Sequence, residues 1–143
     1  GHDVGDVLRG DSPQEQPRRF WQWNGDSPIG VTNAAMRHGD WKLVRPALDI
    51  AYASDRDQQL ADDYIEKDIE YKYHPENITE KFNWPEPKKI VPEPPAPELY
   101  DISVDPGETN DVAVANPTIA SGMLAELETW FEKVEAERQV IDE

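Results

Sequence analysis

Asn33-Ala34-Ala35-Met36-Arg37-His38-Gly39-Asp40-Trp41-Lys42-Leu43-Val44-Arg45 is the stretch on which the fold turns. Two runs with strand character flank the link His38-Gly39-Asp40. A short link of this kind favours an antiparallel pair, with Gly39 supplying the positive φ that the reversal needs. Alternation then sends Trp41 and Leu43 to one side and Lys42 and Val44 to the other. A small sheet of this sort needs an apolar cover on one face. The residues for that cover lie near the end of the sequence. Asn116 can cap a helix that has Pro117 at its first position, where a missing N–H costs nothing. Ala120, Met123, Leu124, Leu127, Trp130, Phe131 and Val134 follow at the spacing of one helix face. Glu126, Glu128, Glu132, Glu135 and Glu137 fall mostly on the other side, and the helix is predicted to end near Arg138.

Working outward from the hairpin, Phe20-Trp21-Gln22-Trp23 suits a strand with Trp21 and Trp23 on a shared face. Asn24-Gly25-Asp26-Ser27-Pro28 has the turn chemistry to end it. Strand character resumes at Glu98-Leu99-Tyr100-Asp101-Ile102, and Pro106-Gly107 within Asp105–Glu108 specifies a type II turn. Before all of this, Val4, Val7 and Leu8 suit one helical turn, followed by a loop at Gly10-Asp11-Ser12-Pro13. The sum is α+β. A small antiparallel sheet of three to four strands should be covered on one face by the long C-terminal helix. Met123, Leu127, Phe131 and Val134 are expected against Trp21, Trp41, Leu43 or Tyr100, with Trp130 also at core spacing.

Residues 47–97 are different material, acidic and rich in proline. A helix from about Asp55 to Tyr71 is predicted there, using Leu60, Tyr64, Ile65 and Ile69. Pro85 through Pro97 reads as extended chain, since proline supports neither a helix interior nor a central strand. We take 1–143 as a single subdomain with 47–97 as an insertion within it. Trp23, Phe82, Trp84, Ile90 and Val91 have no place in the expected core, and are candidates for an apolar surface patch that a partner or a second copy would cover.

The chain of 143 residues has a net charge of −16 and no cysteine. Residues 1–45 are neutral, so the whole deficit lies after them. Such acidity argues against nucleic acid as a partner. No run approaches the roughly 18 apolar residues of a membrane helix. Disulfides and thiolate zinc sites are excluded, without fixing a compartment. The opening residues lack the basic and apolar regions of a signal peptide and read as mid-protein sequence. Catalytic chemistry is hard to find. His2, His38 and His74 are scattered, no G-x-S-x-G is present, and the carboxylates Asp55, Asp57, Asp62 and Asp63 have no calcium-loop pattern around them.

Four segments, in order, resemble the end of type I sulfatases of the arylsulfatase A-like group, in the alkaline-phosphatase-like superfamily. Val7-Leu8-Arg9-Gly10 is similar to an "L-L-x-G" stretch, with Asp3–Asp6 an imperfect match to what precedes it. Ala34 through Val44 is close to the hairpin "A-V-R-x-G-D-W-K-L". Glu98 through Ala113 is similar to "E-L-Y-D-L-x-x-D-P-x-E-x-x-N-L-A", and the closing helix from Asn116 is the fourth. The second and third are the specific ones.

The resemblance implies the last subdomain of a sulfuric ester hydrolase, a four-stranded antiparallel sheet with a helix packed on it. It implies a parent that uses Ca²⁺ and a formylglycine nucleophile on sulfate esters, periplasmic or secreted. Its motif C/S-x-P-S-R is missing from this sequence, so no catalytic or metal role is carried over and the chain should be inactive alone. The N-terminal catalytic domain of the parent would be the partner, with self-association of the isolated piece as a further option. Arg37, His38, Lys42 and Arg45 are the candidates for contacting a sulfated substrate at the pocket rim. Two alternatives stay open: a stand-alone acidic interaction module, or the matching piece of a related phosphoesterase.

Overall fold

A computed structural model describes residues 5–11, 17–23, 28–79 and 84–141. Along the chain run α1 (Gly5–Leu8), β1 (Arg19–Gln22), β2 (Ala34–His38), β3 (Trp41–Arg45), β4 (Ala51–Tyr52), α2 (Asp55–Tyr73), β5 (Lys89–Ile90), β6 (Glu98–Asp101) and α3 (Pro117–Ile141), with a 3-10 turn at Pro75–Asn77. The contacts divide the chain into one unit of residues 1–47 with 94–143 and another of 48–93. The fold is α+β. The turn expected at Asn24–Ser27, the residues Val4 and Phe82, and the Ser12-Pro13 part of the first loop lie outside the described residues.

The first unit is a four-stranded antiparallel sheet in the order β1-β2-β3-β6. Gly39 turns the hairpin with φ +59, as the sequence requires. One row of the register is Phe20↔Met36, Met36↔Leu43 and Leu43↔Leu99, so these four side chains share a face. Ala120, Met123 and Leu127 of α3 join Ala34, Met36, Leu43 and Leu99 in the buried core, flanked by Phe20, Trp41, Val112, Ala113, Ile119, Leu124 and Trp130. Phe20 and Trp130 stack nearly parallel, centroids 5.2 Å apart. Gly30 sits where a Cβ would meet the Phe131 ring at 2.8 Å, so the bare backbone is what lets that ring approach.

Three expectations for the core are corrected. Trp21 does not face the helix: it pairs with Ala35 on the opposite side of the sheet and is 46% exposed. The run Phe20-Trp21-Gln22-Trp23 has aromatics at both parities, and the pairing with β2 chose Phe20 for the core. Tyr100 is buried, but its partner in the register is Lys42, which puts it too on the side away from α3. Val134 lies outside the buried core, beside Gln22 of β1 and Phe131, and is 42% exposed.

The outer edge of β6 is covered by its own downstream loop. Val112 N donates to Leu99 O at 2.9 Å, and Leu99 N donates to the Asp111 carboxylate at 2.9 Å. The expected type II turn does not form. Positive φ falls on Glu108 (φ +54) rather than on Gly107. The Asp105 carboxylate explains the difference, since it accepts from the amides of Thr109 and Asn110 and from the Thr109 hydroxyl. That grip winds the chain tightly enough to drive Glu108 into the left-handed region, at a cost of order 1 kcal/mol for a non-glycine residue. Asn116 precedes α3, and its side-chain amide donates to Val112 O at 3.0 Å.

In the second unit β4 and β5 form a two-stranded ribbon, with Ala51 opposite Ile90. Ser54 caps α2 by accepting from Asp57 N, and the Asp57 carboxylate accepts from Lys88 N at 2.9 Å, tying the helix start to the strand. The Ser54 hydroxyl and then the Lys88 amide hold the Asp57 carboxyl below its usual range. Tyr64 meets Trp84 edge to face and donates to its carbonyl at 2.7 Å. The predicted apolar set of α2 is thus only half right. Leu60 and Tyr64 turn inward with buried Ala61, whereas Ile65 and Ile69 are more than half exposed.

Candidate functional site

The four cations singled out at the hairpin do not form one group. Alternation separates them, because Arg37 and Lys42 are register partners on the sheet face away from α3, while His38 and Arg45 belong to the helix face. His38 stands opposite Trp41 at the hairpin end. Arg45 is committed structurally: its guanidinium donates to the Gly30 carbonyl and pairs with Glu128 of α3. The structure thus divides the four between the two faces of the sheet.

What the fold assembles instead is the open face of the sheet. One row across it reads Arg19, Arg37, Lys42, Tyr100, and the next reads Trp21, Ala35, Val44, Glu98. Arg19 is the member that sequence reading missed. Nothing local marks it, since only the β1–β2 register sets it beside Arg37. Lys42 is neutralised by both oxygens of Glu108, at 2.6 and 2.7 Å, which gives the strained Glu108 backbone a local compensation. Arg37 donates from Nε to the Gly39 carbonyl at 3.1 Å, leaving its terminal nitrogens for other acceptors.

Tyr100 closes the buried end of the first row by donating its hydroxyl to Glu98 at 2.7 Å. The bond to Glu98, then burial, then the Glu98 charge push its ionisation up from 10.0 to about 12. The sign follows from linkage. The folded state holds this proton more tightly than the unfolded state, so its contribution is intact below pH 10.0 and is lost as pH rises through about 12. Stability of the chain should fall across that window, and Tyr100→Phe should flatten the fall. An equal alkaline loss in the Phe variant would remove Tyr100 as its cause.

Among the described residues, no group of three or more His, Asp or Glu side chains is placed to hold a metal ion, and no helix is long and apolar enough to cross a membrane. No protein-family model matches the sequence, and none of the curated proteins searched matches it.

Proposed function

We propose that the chain is the C-terminal subdomain of a type I sulfatase, packing on a catalytic domain and helping to shape the substrate opening, without activity of its own. The observation that carries this reading is where the two specific motif segments lie. Ala34–Val44 supplies β2 and most of β3, and Glu98–Ala113 supplies β6 and its edge loop. More than fifty residues separate them in sequence, yet they make three adjacent strands of one sheet under the closing helix. Calcium and formylglycine would belong to the catalytic domain, because the residues that hold and form them are not in this sequence.

The isolated chain is expected to give no turnover of a nitrophenyl sulfate ester, with or without calcium. Activity that survives repurification and scales with protein concentration would overturn the reading. The coding sequence upstream should carry C/S-x-P-S-R, and a chain extended to include it should hydrolyse the ester in a calcium-dependent way. An upstream sequence without that motif would also overturn it.

One observation favours the acidic interaction module as a second reading. Ile65, Ile69 and Tyr73 lie at helical spacing along α2 and are each more than half exposed, on a helix with acidic flanks. If the upstream motif is missing, that stripe is the surface to mutate first.

A further inference from the structure

The two edges of the sheet are finished differently. On β6 the outward amide of Leu99 is taken by the Asp111 carboxylate and its carbonyl by Val112 N. The other edge is β1. Trp23 N donates to Asn33 O, which fixes the alternation along that ladder. Arg19 and Trp21 exchange bonds with β2, so the N–H and C=O of Phe20 and Gln22 point outward. No other described residue pairs with these four groups, and an edge left so is a template for another strand. On the helix side a groove of about 400 Å³ lies between β1 and α3, lined by Phe20, Ala125, Glu126, Thr129, Trp130 and Lys133. A second, of about 230 Å³, adjoins it across Trp130, beside Gln22, Pro28, Phe131 and Val134. On the opposite face Arg19 is exposed and has no carboxylate partner among the described residues, whereas Arg18 is paired with Glu126.

An added strand meets all three features at once. Only a polypeptide backbone supplies donors and acceptors at the spacing of the groups on Phe20 and Gln22. Alternate side chains of such a strand stand about 6.8 Å apart, as Phe20 and Gln22 do, so residues i and i+2 enter the two grooves. Aromatic rings wall those grooves and Glu126 and Glu135 border them, so apolar side chains suit them and acidic ones do not. The residue opposite Arg19 projects to the other face, in a non-hydrogen-bonded pair where side chains come closest, and a carboxylate there answers the arginine. Every pair in this sheet is antiparallel, which sets the order of these positions. A second copy of the chain fits less well, because two bodies of net charge −16 repel. We infer that β1 is a docking edge for an extended segment of a partner protein, of the pattern apolar-x-apolar-acidic, which joins the sheet as a further antiparallel strand above α3. This goes beyond the sulfatase reading and does not depend on it.

The test is titration of the whole chain with the peptide Ser-Thr-Ile-Thr-Ile-Glu-Thr-Ser, followed by NMR and amide hydrogen exchange. Binding is expected. The amides of Phe20 and Gln22 should exchange fast in the free chain and slowly in the complex, while that of Trp21 is protected in both. N-methylation of the two Ile amides, which face β1, should abolish binding. N-methylation of the Thr between them, whose amide faces away, should leave it. Gln in place of Glu should weaken binding about threefold to tenfold, and Arg19→Ala should bring the Glu peptide down to the same level. Gln22→Pro removes an outward N–H and no β1–β2 bond, so it should weaken binding while the sheet stays folded. If that variant does not fold, the N-methylated peptides make the same test on the unaltered chain. No binding, equal binding of the Ile-methylated peptide, or binding that leaves Phe20 and Gln22 exchanging fast overturns the inference. A concentration-dependent dimer that slows the same two amides gives the edge to a second copy, and overturns it as well. Neither result bears on the upstream motif or on ester hydrolysis, which test the sulfatase reading separately.

Discussion

Leu127→Ala should lower the free energy of unfolding by about 2–5 kcal/mol, the range for emptying a packed leucine site. Leu127 is 1% exposed and shares its core with Met36, Leu43, Leu99, Ala120 and Met123. Three of these belong to strands fixed by their ladders and two to the same helix, so the walls have little freedom to close on the cavity. Urea unfolding should show a lower midpoint with an unchanged slope. Val134→Ala is the control, because a side chain 42% exposed leaves no closed cavity and should cost far less. An effect at Leu127 within about 0.5 kcal/mol, typical of surface sites, would mean that α3 presents another face to the sheet.

The second large effect comes from one carboxylate. A single oxygen of Asp111 accepts from Leu99 N and from Ala113 N, both at 2.9 Å. Leu99 is fully buried, so water cannot replace the lost acceptor. Asp111→Ala should therefore cost about 1–3 kcal/mol for the stranded donor, and it should free the loop that covers the β6 edge. Asp111→Asn keeps an oxygen in place and should recover a large part of the loss. Amide hydrogen exchange at Leu99 reads the effect locally. Unchanged protection in the Ala variant would show that the edge is held by something other than Asp111.

The hairpin and the closing helix were legible because each is specified by local signals that agree. Gly39 sits between two alternating runs, and Pro117 precedes an apolar stripe that keeps its spacing to Phe131. The parity of β1 was not legible, since aromatics at 20, 21 and 23 satisfy either face and only pairing with β2 decides. The Asp105–Glu108 turn misled for a related reason. Its backbone code pointed to Gly107, and a side chain overruled it. For the site, the separation of Arg37 and Lys42 from His38 and Arg45 was already present in the alternation. Arg19 was not, because a cross-strand neighbour is a property of register rather than of spacing.

The route from β3 to β6 sets how fast this molecule can find its shape. Val44 and Glu98 are register partners, yet the whole of residues 48–93 lies between the two strands. Closing so long a loop is an entropic barrier to be crossed before the β3–β6 contacts form, and sheets built on distant pairings fold slowly. Pairing of β4 with β5 changes that topology, because joining Ala51 to Ile90 takes nearly all of the intervening chain out of the loop. Once the ribbon has formed, β6 is a short connection away from β3. The order of events should then be hairpin and ribbon first, β6 next, and α3 last onto a finished sheet.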